Sequence, residues 1–177
     1  MNDMQPDPAI RETTQCLCLA ARRASRTITR EFDRALRAHG LRATQFTLLA
    51  ALHLAGPRPI GALAELLSLD RTTLTRNLAV AEQHGWVTTR ADREDERSRI
   101  AAISAKGLRT LTAALPAWRR TQGALIDTIG QESAASLRKL AGGPCASPAR
   151  APSRPASLSR KRLSNSDAVV RHQTDIA

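Results

Sequence analysis

Arg71, Thr72, Thr75 and Arg76 crowd the start of one short stretch, LDRTTLTRNLAVAEQHG. Guanidinium groups and hydroxyls in this pattern hydrogen-bond to phosphates and to base edges. Arg is the commonest bidentate partner of guanine, and Thr serves several bases. Arg and Thr at a helix start are also ordinary solvated residues, so what surrounds them has to decide. Asp70 is an N-cap for a helix over Arg71 to His84, and Gly85 follows it at the C′ position. On that helix Thr73, Leu74, Asn77, Leu78 and Ala81 fall on one face, while Arg71, Thr72, Thr75 and Arg76 fall on the other.

The flanking segments are those needed to hold such a helix. Ile60, Leu63, Ala64 and Leu67 have the spacing of a short helix with one buried stripe, and Ser68-Leu69 makes a tight turn into the second helix. Two helices this close in sequence meet at an angle, as a helix-turn-helix requires, and its second helix fits a major groove. Beyond Gly85, Trp86 to Arg90 alternates like a strand, Ala91 to Ser98 is a charged tip, and Ile100 to Ser104 returns. This is a β-hairpin wing. Its tip interleaves Arg93, Arg97 and Arg99 with Asp92, Glu94, Asp95 and Glu96, so part of the charge is internal pairing, worth about 0–1 kcal/mol for each exposed pair. The remaining arginines can reach a phosphate or a narrow minor groove. The candidate DNA-contacting residues are Arg71, Thr72, Thr73, Thr75 and Arg76 on the helix, with Arg90, Arg93, Arg97 and Arg99 on the wing.

LDRTTLTRNLAVAEQHGWV, followed by D-x-x-D-x-R (Asp92, Asp95, Arg97) and S-A-K-G (Ser104 to Gly107), resembles the MarR family of bacterial transcriptional regulators. The likeness covers roughly residues 11 to 141 and includes A-T-Q-F-T-L-L from Ala43. It departs in the wing, where many members have Arg between the two aspartates and this chain has Glu94 beside Arg93. The resemblance implies a winged helix-turn-helix joined to a helical dimerisation region. It also implies a homodimeric repressor of an inverted repeat in double-stranded DNA, released by a small phenolic or anionic effector or by oxidation. Cys18, in Q-C-L-C-L-A, is similar to the reactive cysteine of the organic-hydroperoxide sensors in that family, which makes it a candidate redox sensor. Arg22, one turn later, suits a thiolate partner. Those sensors also use tyrosines, and this chain has none; Phe32 stands near the expected place. Cys16 and Cys18, read as two apart on one helix, point about 200° apart and are poorly placed to bond.

The rest of the chain reads as mainly α. A long amphipathic helix runs from Ile10 through Leu17, Ala21, Ile28, Phe32 and Leu36 to near His39-Gly40, longer than a small core needs, so part of its stripe is expected to meet another chain. Thr44 is the expected cap of a helix over Gln45 to Leu54, stopped by Gly56-Pro57-Arg58-Pro59. After the wing, Leu108, Leu111, Leu115, Trp118, Gln122, Leu125 and Ile129 form a heptad-like seam kinked at Pro116. Ala134, Leu137 and Leu140 mark a short last helix. From Gly142 the composition turns to Pro, Ser, Ala and Arg without apolar period, which reads as disordered. The expected division is a dimerisation helix over 1–40, the DNA-binding unit over 41–107, further dimerisation helices over 108–141 and a basic tail over 142–177.

Composition narrows the function class. The 177 residues carry a net charge of +11, which attracts polyanions. With two Phe, two Trp and no Tyr, the core must be built from aliphatic residues. The apolar run Leu48 to Leu52 is far shorter than the about 20 residues of a membrane span, and the acidic start lacks an apolar leader, so a cytoplasmic protein is expected. Three cysteines in a reducing compartment imply no disulfide framework, and C-x-C alone makes no zinc site. There is no G-x-S-x-G, no Gly-rich phosphate loop and no histidine cluster, so neither an enzyme nor a cofactor is expected. An architectural nucleic-acid-binding protein and a thiol peroxidase using Cys18 are the competing readings.

Overall fold

A computed structural model describes residues 8–92 and 98–142. Among the described residues there are seven α-helices and a small three-stranded antiparallel sheet. In chain order the elements are α1 (Pro8–Glu12), α2 (Leu17–Leu36), α3 (Ala43–Ala55), β1 (Arg58–Pro59), α4 (Ile60–Leu66), α5 (Arg71–Gln83), β2 (Val87–Ala91), β3 (Arg99–Ile103), α6 (Ala105–Ile129) and α7 (Gln131–Leu140). The sheet order is β1-β3-β2. This is mainly α with a β-hairpin wing, as the sequence implies, and it adds one strand: Arg58-Pro59 pairs with Ala101 and Ile100 instead of only ending a helix. Among the described residues no helix is long and apolar enough to cross a membrane.

The core gathers around α3, which buries Phe46, Leu48, Leu49, Ala51 and Leu52 and is therefore apolar on several sides, as an enclosed helix must be. Leu36 of α2, Leu63 of α4, Leu74 and Leu78 of α5, Trp86, Ala101 of β3 and Leu111 and Ala114 of α6 pack around it. A fully buried leucine such as Leu49 or Leu74 contributes about 1.5–3 kcal/mol. Trp118 of α6 stacks on Phe46 of α3 at 5.8 Å between ring centroids and on Phe32 of α2 at 6.5 Å, tying the three helices together.

Several local expectations change. The first helix is not continuous: Thr13–Gln15 form a 3-10 turn, the Thr13 and Thr14 hydroxyls donate to the carbonyls of Ile10 and Arg11, and Cys16 is extended. Threonine side chains that bond the preceding backbone compete with helix propagation. Because Cys16 lies outside α2, the 200° helical separation from Cys18 does not apply. Thr44 is not a cap either. α3 starts two residues earlier, at Ala43 with Arg42 in the cap position, where the Asp33 carboxylate accepts the Ala43 N–H at 2.7 Å and Gln45 accepts the Arg42 N–H at 2.8 Å. Along α6 the buried line is Gly107, Leu111, Ala114 and Ala117, which shares only Leu111 with the leucine seam, whose ends Leu108 and Ile129 are exposed; Pro116 sits inside α6.

Candidate nucleic-acid interface

The turn from α4 into α5 closes through backbone geometry. Ser68 donates to the Glu65 carbonyl and Leu69 to the Ala64 carbonyl, a Schellman ending that puts Ser68 at φ +50°, a conformation usually left to glycine. Asp70 then caps α5. One carboxylate oxygen accepts the Thr73 N–H at 2.8 Å and the other accepts the Thr73 hydroxyl at 2.6 Å. The Thr73 hydroxyl, and after it the Thr73 N–H, hold the Asp70 carboxyl below the usual carboxylate range. At the other end Gly85, at φ +69°, donates to Glu82 and Trp86 donates to Ala81, so α5 ends where the sequence places its C′ glycine.

Leu74, Leu78 and Ala81 are buried, and the helical step of about 100° per residue aims Thr72 and Arg76 almost directly away from them. Arg71 and Thr75 lie a quarter turn aside and line a cleft of about 280 Å³ that also receives Thr89 and Arg99 of the wing. The Thr75 hydroxyl donates to the Arg71 carbonyl at 2.7 Å. Thr73 is exposed, not on the inner face, because its hydroxyl completes the cap. The most outward pair, Thr72 and Arg76, thus presents one hydroxyl and one guanidinium to any groove that receives α5.

The wing arginines divide. Register pairs Arg90 with Ile100 and Ala91 with Arg99, so Arg90 and Arg99 point to opposite faces of the hairpin. Arg99 is on the face turned toward α5, where its guanidinium donates to the Thr89 hydroxyl, which donates to a Glu82 carboxylate oxygen. Arg93 and Arg97, with the rest of the tip over 93–97, lie outside the described residues, as do Cys145 and the tail after Gly142. Cys18 is exposed on the first turn of α2, with Arg22 also exposed one turn on.

Where β3 passes into α6, the S-A-K-G stretch acquires a structural explanation. Ser104 N–H donates to the Trp86 carbonyl at 2.8 Å, its hydroxyl donates to the Gly85 carbonyl at 2.7 Å, and the same hydroxyl accepts the Gly107 N–H at 2.9 Å. A Cβ at Gly107 would stand 2.1 Å from the Trp86 carbonyl oxygen. Sequence reasoning missed this junction and the part played by Glu82; both depend on contacts between separate elements.

A model of the MarR family matches residues 39–98. No curated relative matches the chain. Among solved structures, the M. tuberculosis transcriptional regulator MosR in complex with DNA is 36% identical, with a TM-score of 0.63, over 72% of this chain and 96% of that one. A mutant of MarR from E. coli complexed with operator DNA is 20% identical, TM-score 0.65, over 73% of this chain and 95% of that one. The transcriptional repressor CouR, bound to a 23-mer DNA duplex, is 23% identical, TM-score 0.66, over 74% and 93%. These last two share the fold.

Proposed function

The chain belongs to the MarR family of transcriptional regulators, and from that footing we propose that it is a homodimeric repressor that recognises an inverted repeat in double-stranded DNA. α5 enters the major groove, with Thr72 and Arg76 at base edges and Arg71, Thr75 and Arg90 nearer the phosphates. The observation that carries this reading is the outward line of Thr72 and Arg76 on a helix capped at both ends, beside a wing. The DNA complex of MosR, 36% identical, supports DNA as the partner. A net charge of +11 favours approach to the duplex.

Dimerisation is supported by apolar side chains that one chain leaves uncovered: Leu17 is 85% exposed and Leu140 is 84% exposed. We assign 1–40 and 108–141 to that interface and 41–107 to DNA. An effector has a candidate place in a cleft of about 350 Å³ between α3 and α6, lined by Phe46, His53, Leu54, Leu111 and Trp118. Apolar walls with one imidazole suit a small phenol or aromatic acid.

The test is selection of duplexes from a random library at stated salt, followed by affinity measurement. A regulator recovers an inverted repeat and binds it about 10³-fold or more above random DNA. Arg76→Ala then weakens the selected duplex by about 1–3 kcal/mol and relaxes one position in each half-site. Equal loss on selected and random duplexes would refute base reading by Arg76, and a wild-type ratio near one would favour the architectural reading.

A further inference from the structure

We infer that Glu82 is a positioning residue that sets the angle between the wing and α5. The inference rests on the reading that α5 and the wing grip DNA together. Glu82 occupies the last turn of α5, Thr89 the middle of β2 and Arg99 the first position of β3. The Thr89 hydroxyl donates its single proton to Glu82 and accepts from the Arg99 guanidinium on a lone pair. One hydroxyl therefore links a carboxylate to a guanidinium and joins three elements, with a charged partner at each end.

Its place in the fold explains why a polar link is needed there. The covalent passage from α5 to β2 is fixed at its near end by the Gly85 turn and by buried Trp86. Farther out along the hairpin, α5 and the wing are separated by the cleft of about 280 Å³ bordered by Arg71, Thr75, Glu82, Thr89, Ser98 and Arg99. Leu78 and Ala79 of α5 and Ile60 of α4 also line it, but the wing contributes only Thr89, Ser98 and Arg99, so the hairpin meets this cleft with polar side chains. The relay from Glu82 to Arg99 spans it. The bond from Thr89 to Glu82 makes the crossing to α5, and Arg99 backs it by donating to Thr89 from the neighbouring strand, which differs from the free phosphate contact expected of a wing arginine.

Charge and position predict opposite signs, which makes the inference testable. Glu82 brings a negative charge to a surface meant for a polyanion, so an electrostatic role alone predicts tighter DNA binding when it is removed. A positioning role predicts weaker specific binding. The experiment compares Glu82→Ala, Glu82→Gln, Thr89→Val and Thr89→Ser with wild type, using a duplex selected by wild type and a random-sequence duplex. Hydrogen exchange of the β2 and β3 amides is followed without DNA. Glu82→Ala and Thr89→Val are expected to lose about tenfold on the selected duplex and little on random DNA, the loss fitting one charge-assisted hydrogen bond. Glu82→Gln, which keeps an acceptor, and Thr89→Ser, which keeps the hydroxyl, are expected within about twofold of wild type. Wing amides should exchange faster in the first pair and not in the second. The inference is overturned if Glu82→Ala leaves exchange unchanged, or if it binds the selected duplex as well as wild type or better. Should wild type itself fail to discriminate between the duplexes, the regulator reading fails, while the exchange comparison still decides the role of Glu82.

Discussion

Replacing Gly107 with alanine brings a methyl carbon to 2.1 Å from the Trp86 carbonyl oxygen, 2.9 Å from the carbonyl carbon and 3.0 Å from Cγ1 of Ile103. Two of these neighbours are backbone, and Trp86 is buried, so the added atom can be accommodated only by moving α6 away from the hairpin by about 1 Å. Overpacking of this kind costs about 1–3 kcal/mol. The same movement weakens the Ser104 N–H bond to the Trp86 carbonyl, about 1 kcal/mol more. Alanine recovers at most about 1 kcal/mol from helix propensity. The net expectation is a loss of about 2 kcal/mol, which lowers the melting temperature of a chain this size by about 4–8 °C. Thermal unfolding followed by circular dichroism, at one fixed protein concentration, reads this directly. Gly61→Ala is the control, since Gly61 lies in α4 with nothing within 4 Å of an added Cβ, and it should melt at or slightly above wild type. A Gly107→Ala protein as stable as that control would refute the close approach of α6 to Trp86.

Ser68→Gly should raise stability by about 0.5–1 kcal/mol, because glycine removes the strain of φ +50° at a small cost in unfolded-chain entropy; chemical denaturation at constant m-value is the measure. The depressed Asp70 pKa makes its capping contribution complete above the ordinary carboxylate value of about 3.9 and lost as pH falls through the lower folded value, so the wild-type melting temperature should drop more between pH 5 and pH 3 than that of Asp70→Asn. Leu115→Asp with Leu125→Asp should bury unpaired charge along α6 and give monomers or aggregates with weak DNA binding; a sedimenting dimer would exclude the seam from the interface. On the reading that Cys18 is an oxidant sensor, hydroperoxide releases wild type from DNA and leaves Cys18→Ser bound, and equal responses of the two proteins would remove that reading.

The helix-turn-helix and the wing were legible because their signals are local. Asp70 acts three residues along the chain, Gly85 ends the helix it follows, and strand alternation from Val87 onward needs no distant partner to be seen. What escaped depends on separate segments. Asp33 caps α3 from α2, ten residues away, so Thr44 looked like the better cap. β1 has only two residues and exists because β3 is there to receive it. Arg90 and Arg99 read alike as wing cations until register put them on opposite faces, and only contact shows that Glu82 and Thr89 engage the second of them. Along α6 the small residues Gly107, Ala114 and Ala117 carry close packing that a search for leucines passes over.

The seat of Gly107 against Trp86 also makes α6 a lever pivoted close to one end. The part of α6 beyond Gly107 extends about 33 Å from the fulcrum, while α5 and the wing are coupled to the pivot through Gly85, Trp86 and Ser104. A tilt of about 5° at the fulcrum sweeps the distant end of such a helix through about 3 Å. If, as proposed, a second subunit holds the distant end, the tilt is returned to the reading head, and two heads turned in opposite senses would no longer match half-sites about 34–36 Å apart. On the proposed dimeric reading, a molecule lodged between α3 and α6 acts on Leu111, Leu115 and Trp118, about 6–17 Å from the fulcrum, so displacing them by about 0.5–1.4 Å would change which DNA spacing the two heads can span.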